Sequence, residues 1–219
     1  MKMKRAIAVA LALGLLGSSF VVPASAKKAK PVKTTLYMHG QTPSGEVDGV
    51  QWFADGAGFQ SPLTLDTTEP SDPMPKSMNY FNPALNDQCT GLPLGFPTFT
   101  GTLAGTIVGD AKMTLHFASA PAAIKARIWT DIAPFSACNE NYIEPASEVD
   151  VDVPAGQNAV EVTFPKLKLK AANSIMIEIL ALSGSDYRGQ VGRLLYDSTA
   201  APTSITFNCI PAAGAKTCS

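Results

Sequence analysis

The stretch from residue 112 to residue 132 reads KMTLHFASAPAAIKARIWTDI, with two alternating runs flanking a Ser-Ala-Pro-Ala turn. Apolar side chains recur at every second position, which is typical of antiparallel strands with one buried face. A hairpin at this turn would place Phe117 opposite Ile124 and Met113 opposite Ile128 on the core face. The stretch therefore predicts β-structure.

A second hairpin is predicted around residues 154–157, where Val151 would meet Val160 and Val149 would meet Val162. Short apolar or alternating runs recur along the rest of the chain between Gly, Pro, Asn and Asp residues. No window of helical length shows an apolar period of 3.6 residues. The sequence therefore predicts an all-β fold, a single antiparallel β-sandwich over residues 34–219.

The first 26 residues have the pattern of a secretory signal peptide. Lys2, Lys4 and Arg5 precede an apolar run over residues 6–22, and Ala24-Ser25-Ala26 offers small residues for cleavage after Ala26. We expect a secreted mature chain that begins with a basic tail, residues 27–33, and does not insert into a membrane.

The mature chain would carry 14 basic and 18 acidic residues, a net charge of −4. This balance predicts no nucleic-acid partner and no attraction to an anionic membrane. The lysines of the N-terminal tail are interpreted as a solvated lead into the first strand.

Four cysteines remain after cleavage, and an even number in an exported chain predicts two disulfides with three conceivable connectivities. Cys209 and Cys218 bracket a short Pro/Gly/Ala segment that has few other means of ordering itself. A local bridge there is the most economical choice, and Cys89–Cys138 follows by elimination.

The run Glu148-Val149-Asp150-Val151-Asp152 resembles the Glu-x-Asp-x-Glu strand of jelly-roll β-glucanases. That resemblance implies a catalytic pair, Glu148 and Asp152, for retaining hydrolysis. The alternative interpretation is a solvated acidic face of an antiparallel strand.

Two further candidate sites follow from the first hairpin. Its register would set Asp110 opposite Asp131, and two facing carboxylates favour a neutralising cation, for which calcium is the natural choice. The alternative is that the strand ends splay into water or that lysines of the run Lys166-Leu167-Lys168-Leu169-Lys170 cover the carboxylates. Trp129 shares a face with Arg127 and would stack on a sugar ring unless a loop covers it.

The runs Gly109–Phe117 and Val191–Ser198 resemble the jelly-roll, galactose-binding-like modules of secreted bacterial peptidases and glycosidases. The resemblance implies a jelly-roll sandwich without catalysis, sometimes stabilised by calcium and sometimes binding carbohydrate. We expect an exported, non-catalytic domain that binds carbohydrate or cell-envelope material. The alternative is a small glycan hydrolase that uses the Glu148/Asp152 face.

Overall fold

The computed structural model describes residues 29–40, 45–47, 50–52, 63–81, 98–131, 145–181 and 190–219. These residues form thirteen strands and no helix, and hence no helix long and apolar enough to cross a membrane. The strands are β1 Val32–His39, β2 Gly45–Val47, β3 Val50–Trp52, β4 Thr64–Asp66, β5 Lys76–Phe81, β6 Thr98–Thr102, β7 Gly105–Ser119, β8 Ala123–Thr130, β9 Ser147–Asp152, β10 Ala159–Ala171, β11 Ser174–Ala181, β12 Gln190–Tyr196 and β13 Ser204–Pro211.

Eleven of these strands form one sheet. Ten of them follow the order β5-β12-β7-β13-β1-β4-β6-β11-β8-β9, and the eleventh, β10, pairs with β7 outside this order. Every pairing is antiparallel except the short parallel contact between β4 and β6. The inward side chains of β7 and β10 pack with those of β8 and β11 in one core, so the sheet bends over itself. The predicted all-β, antiparallel architecture is confirmed.

Both predicted hairpins are wrong in their partners. The strand β7 pairs with β10 rather than β8, and β8 pairs with β9. Ala123 of β8 lies opposite Asp152 of β9, and His116 of β7 lies opposite Ala159 of β10. Both members of the second pair are seven residues from those of the first, so the two ladders share one register. The four strands thus form a single long hairpin folded across the core, which is the pairing of a jelly roll.

The side chains predicted for the core face are buried all the same. Met113 and Phe117 of β7 and Ile124 and Ile128 of β8 are at most 1% exposed. All four belong to one core, although β7 and β8 share no ladder. Alternation fixes the face of a strand but leaves its partner open, because a neighbouring strand and a strand in the facing layer bury the same residues.

A bulge in β10 preserves its core face. Phe164 lies opposite Ala111 and Leu167 lies opposite Gly109, so Pro165 and Lys166 together face the single residue Asp110. Lys166 adopts a positive φ of 53°, and its N–H donates to Asp110 Oδ1 at 2.8 Å. The extra residue is accommodated locally, and the apolar side chains on both sides of it point into the core.

The predicted disulfide between Cys209 and Cys218 is confirmed, and both residues are buried. The bridge packs on Gly105, where a Cβ atom would come within 2.8 Å of both sulfur atoms. Cys89 and Cys138, the other predicted pair, lie outside the described residues.

Candidate functional site

A groove lies on the outer face of three neighbouring strands. Outward positions of an antiparallel strand alternate with core positions, so Thr35 and Tyr37 of β1 face away from the core beside Ser204 and Thr206 of β13. Thr114 of β7 lies next to Ser204 in the adjacent ladder. The pairing therefore collects five hydroxyl groups on the floor of one groove.

Two loops form the walls of this groove, which has a volume of about 480 Å³. Glu69 and Pro70 come from the segment after β4, and Thr199 and Pro202 come from the segment between β12 and β13. All nine lining residues are exposed or half-buried, so the groove is open to solvent.

Tyr37 and Glu69 form a hydrogen-bonded pair in the groove. The Tyr37 hydroxyl donates to Glu69 Oε1 at 3.2 Å. Desolvation, with help from the hydrogen bond and charge of Glu69, raises the pKa of the Tyr37 phenol. The phenol therefore stays protonated at neutral pH and serves as a hydrogen-bond donor.

The loop that carries Glu69 is anchored at the end of β1. His39 Nδ1 lies 2.7 Å from Asp197 Oδ1, and His39 Nε2 donates to the Thr68 carbonyl at 2.9 Å. Lys76 Nζ donates to the other carboxylate oxygen of Asp197 at 2.5 Å. Desolvation raises the pKa of Asp197, but the hydrogen bonds from Lys76 and His39 outweigh it and leave the pKa below its usual value.

This groove could not be predicted from the sequence. Its signal was the outward series Lys33, Thr35, Tyr37 and His39, but the partners of that series lie far away along the chain. His39 and Asp197 are 158 residues apart, for instance. Only the pairing of β1 with β13 brings the hydroxyl groups together.

Trp129 and Arg127, the predicted sugar-binding pair, are not free to bind a sugar. Trp129 is buried, and Arg127 is held in ion pairs. Trp129 is 7% exposed, and its indole nitrogen has no hydrogen bond of good geometry. The Arg127 guanidinium donates to Glu148 at 2.5 Å and to the buried Glu178 at 3.1 Å. Burial raises the pKa of Glu178, although Arg127 opposes the shift. A ring buried to this extent offers no open face for stacking on a sugar.

Glu148, one of the two predicted catalytic residues, has both carboxylate oxygens engaged. Lys125 Nζ lies 2.7 Å from Oε1 and Arg127 Nε lies 2.5 Å from Oε2. The hydrogen bond from Lys125 is the main cause of the lowered pKa of Glu148. Asp152, the second residue of the pair, is exposed at the end of β9, opposite Ala123.

Asp110 and Asp131, the predicted calcium ligands, are not brought together, because β7 and β8 are not paired. Asp110 accepts the N–H of Lys166, whereas Asp131 accepts that of Ala172 at 2.7 Å. Lys166 and Ala172 are six residues apart on an extended segment, or roughly 20 Å. Among the described residues, no three His, Cys, Asp or Glu side chains are grouped to hold a metal ion.

Asp131 instead stabilises the turn between β10 and β11. It has a positive φ of 56°, and its carboxylate accepts N–H groups of Ala172, Asn173 and Ser174 at 2.7–3.2 Å. Partial desolvation raises the pKa of Asp131, but these main-chain hydrogen bonds outweigh it and hold the pKa below its usual value.

Replacing Asp131 with alanine should therefore lower the free energy of unfolding by about 2 kcal/mol, through the lost hydrogen bonds and an unfavourable alanine φ. Because the folded-state pKa is depressed, the ionised carboxylate stabilises the fold above its unfolded pKa of about 3.9. That contribution disappears as the pH falls through the folded-state pKa. Urea unfolding of wild type and Asp131→Asn at pH 7 and pH 3 measures it.

The contribution of the Asp131 carboxylate to the free energy of unfolding should be the same with millimolar calcium as with a chelator. A melting temperature of the wild type that rises with millimolar calcium, and a rise that Asp131→Asn abolishes, would restore the metal interpretation.

No protein-family model and no curated protein matches the sequence. An aminopeptidase from the marine sediment archaeon Thaumarchaeota archaeon is similar in structure, with 12% identity, a TM-score of 0.49 and coverage of 82% of this chain and 37% of that one. A CocE/NonD family hydrolase from Staphylococcus aureus is 11% identical, with a TM-score of 0.45 and coverage of 82% and 37%. Eiger TNF from S. frugiperda is 10% identical, with a TM-score of 0.33 and coverage of 87% and 99%.

The chain thus spans little more than a third of the length of the two hydrolases. Similarities at these identities and TM-scores do not assign it to a family or to an activity.

Proposed function

We propose that this protein is an exported, non-catalytic β-sandwich domain that binds saccharide in the groove between Tyr37 and Thr114. The observation that carries the proposal is the hydroxyl-lined floor formed by β1, β13 and β7, with Tyr37 and Glu69 at its side. Export is supported by the buried Cys209–Cys218 disulfide together with the signal-like pattern of the first 26 residues.

The chemistry of the groove suits a sugar. A sugar ring presents hydroxyl groups that both donate and accept, and the Thr and Ser hydroxyls can rotate to match them. The Glu69 carboxylate accepts strong hydrogen bonds. The half-buried Tyr37 ring offers an apolar surface beside these polar groups, the combination on which sugar rings pack.

The size of the groove also agrees with this function. Its volume of about 480 Å³ falls within the range of small-molecule sites, roughly 300–1,000 Å³. The floor is a set of paired strands rather than loops, and the Thr35 and Thr206 hydroxyls bond to each other at 2.9 Å. A floor of this kind is already organised before a ligand arrives, which lowers the cost of binding.

Replacing Tyr37 with alanine should weaken saccharide binding about tenfold, because it removes the ring surface and the hydroxyl that faces Glu69. Tyr37→Phe should lose less, since it keeps the ring. A glycan array on the mature protein identifies the ligand, and calorimetry with that ligand measures the variants. Thr163→Ala is the matched control, because Thr163 is exposed on β10 outside the groove. Equal affinity of wild type and Tyr37→Ala would contradict the proposal.

The glycan hydrolase alternative has weaker support. Lys125 and Arg127 neutralise Glu148, and a carboxylate held in two ion pairs is a poor nucleophile. Turnover of an array ligand that is lost in Glu148→Gln would favour the hydrolase. Binding without turnover favours the proposed function.

A further inference from the structure

A group of exposed lysines lies on the same outer face as the groove. Lys168 of β10 is opposite Val108 of β7, Val108 is opposite Asn208 of β13, and Asn208 is opposite Lys33 of β1. This row spans roughly 14 Å across four strands. Lys170 is the next outward residue of β10. We call Lys33, Lys168 and Lys170 the lysine patch.

The bulge in β10 is what places two of these lysines. Beyond Pro165 and Lys166 the outward positions are Lys168 and Lys170, while Leu167 turns inward. The segment Lys-Leu-Lys-Leu-Lys therefore presents its charges on the face that carries Lys33. Chain segments more than 130 residues apart contribute to one positive surface.

The patch lysines differ from three other lysines of the described strands. Lys76, Lys112 and Lys125 each form an ion pair, with Asp197, Glu161 and Glu148 respectively. Within the described residues, no ion pair is formed by any lysine of the patch.

Two carboxylates lie near the patch and reduce its charge. Asp110 faces the bulge, and Asp131 interacts electrostatically with Lys170. Both accept main-chain N–H groups, so their oxygens are already occupied in part. The ammonium groups of Lys33 and Lys168 are exposed and can bind an anionic ligand.

The lysine patch continues the groove. Lys33, Thr35 and Tyr37 are successive outward residues of β1, and Lys33 and Tyr37 are roughly 13 Å apart. Asn208 and Thr206 continue the same series on β13. A polymer seated in the hydroxyl-lined groove would run directly onto the lysines.

We infer that the ligand is an acidic polysaccharide, whose neutral units occupy the groove and whose carboxylate or sulfate groups bind the lysine patch. The inference rests on the saccharide-binding function proposed for the groove. Lys33 and Lys168, roughly 14 Å apart, match a polymer that carries a charge only on some of its rings. Strands of nucleic acid carry a charge on every unit and are held by stacked aromatic side chains. Among the described residues that line the groove and form the patch, Tyr37 is the only aromatic one.

The test uses three probes with one backbone: neutral dextran, carboxymethyl-dextran and dextran sulfate, with a DNA oligonucleotide as competitor. We expect carboxymethyl-dextran to bind the full mature protein more tightly than neutral dextran at low salt and to lose that advantage as salt rises. The double variant Lys33→Gln/Lys168→Gln should lose roughly tenfold in affinity for the acidic probes, the effect of about two exposed charge contacts.

Lys125→Gln is the control for the loss of a positive charge elsewhere on the protein, because Lys125 lies on β8, which pairs with none of β1, β7, β10 and β13. It should bind the acidic probes as the wild type does. Equal loss in control and double variant, or no loss in the double variant, would overturn the inference. DNA that competes as well as dextran sulfate would also overturn it, since the patch would then accept any polyanion. If the double lysine variant loses affinity for the acidic probes and Tyr37→Ala does not, saccharide binding in the groove is refuted, whereas anion binding by the lysine patch is not.

Discussion

Replacing both Cys209 and Cys218 with alanine should lower the free energy of unfolding by about 3 kcal/mol. The bridge spans nine residues, and closing a loop of this length reduces the entropy of the unfolded chain by roughly that amount. The bridge also holds the end of the chain against β7, where the Ala104 N–H donates to the Cys218 carbonyl at 2.8 Å. The melting temperature should fall by roughly 6–12 °C.

Urea unfolding of the wild type, the double alanine variant and Ser219→Ala measures this effect. Ser219 is the exposed residue next to Cys218 and serves as the control, so its substitution should leave the midpoint unchanged. Peptide mapping without reduction should find Cys209 and Cys218 on one fragment. A double variant as stable as the wild type, or Cys138 joined to Cys209 in the map, would contradict the structure.

The disulfide was predictable because its two cysteines are close in sequence. The all-β class was predictable for the same kind of reason, since alternation is a local property of each strand. Pairing is different, because it depends on chain segments that alternation does not identify. The buried face of β7 is compatible with either β8 or β10 as its partner strand. The structure shows that β7 pairs with β10 and that β8 pairs with β9.

The same limit applies to the candidate sites. The predicted calcium pair required β7 and β8 to be neighbours, so it was lost together with that hairpin. Trp129 shared a face with Arg127 as predicted, but alternation does not show that an outward position is covered. The groove and the lysine patch join β1 with β13 and β10, which meet only through pairings between distant parts of the sequence.

Deleting Lys168 should unfold the protein or cost at least about 4 kcal/mol, whereas deleting Lys166 should cost less than about 1 kcal/mol. Without Lys168 the remainder of β10 shifts by one position, which turns Leu169 outward and Lys170 toward the core. A buried, unpaired lysine and an exposed leucine are both strongly unfavourable. Lys166 is the extra residue of the bulge, so its deletion leaves Leu167 opposite Gly109 in a regular ladder.

The two deletions match each other in chain length and net charge, so that a difference between them reports the register of β10 alone. The Lys166 deletion loses the N–H donated to Asp110 but also removes a residue with a φ of 53°, an unfavourable conformation for lysine. These two effects offset each other in part. Circular dichroism and thermal unfolding of both variants measure the contrast. Similar melting temperatures would show that β10 slides along β7, and the alternation would then not fix the face on which the lysine patch lies.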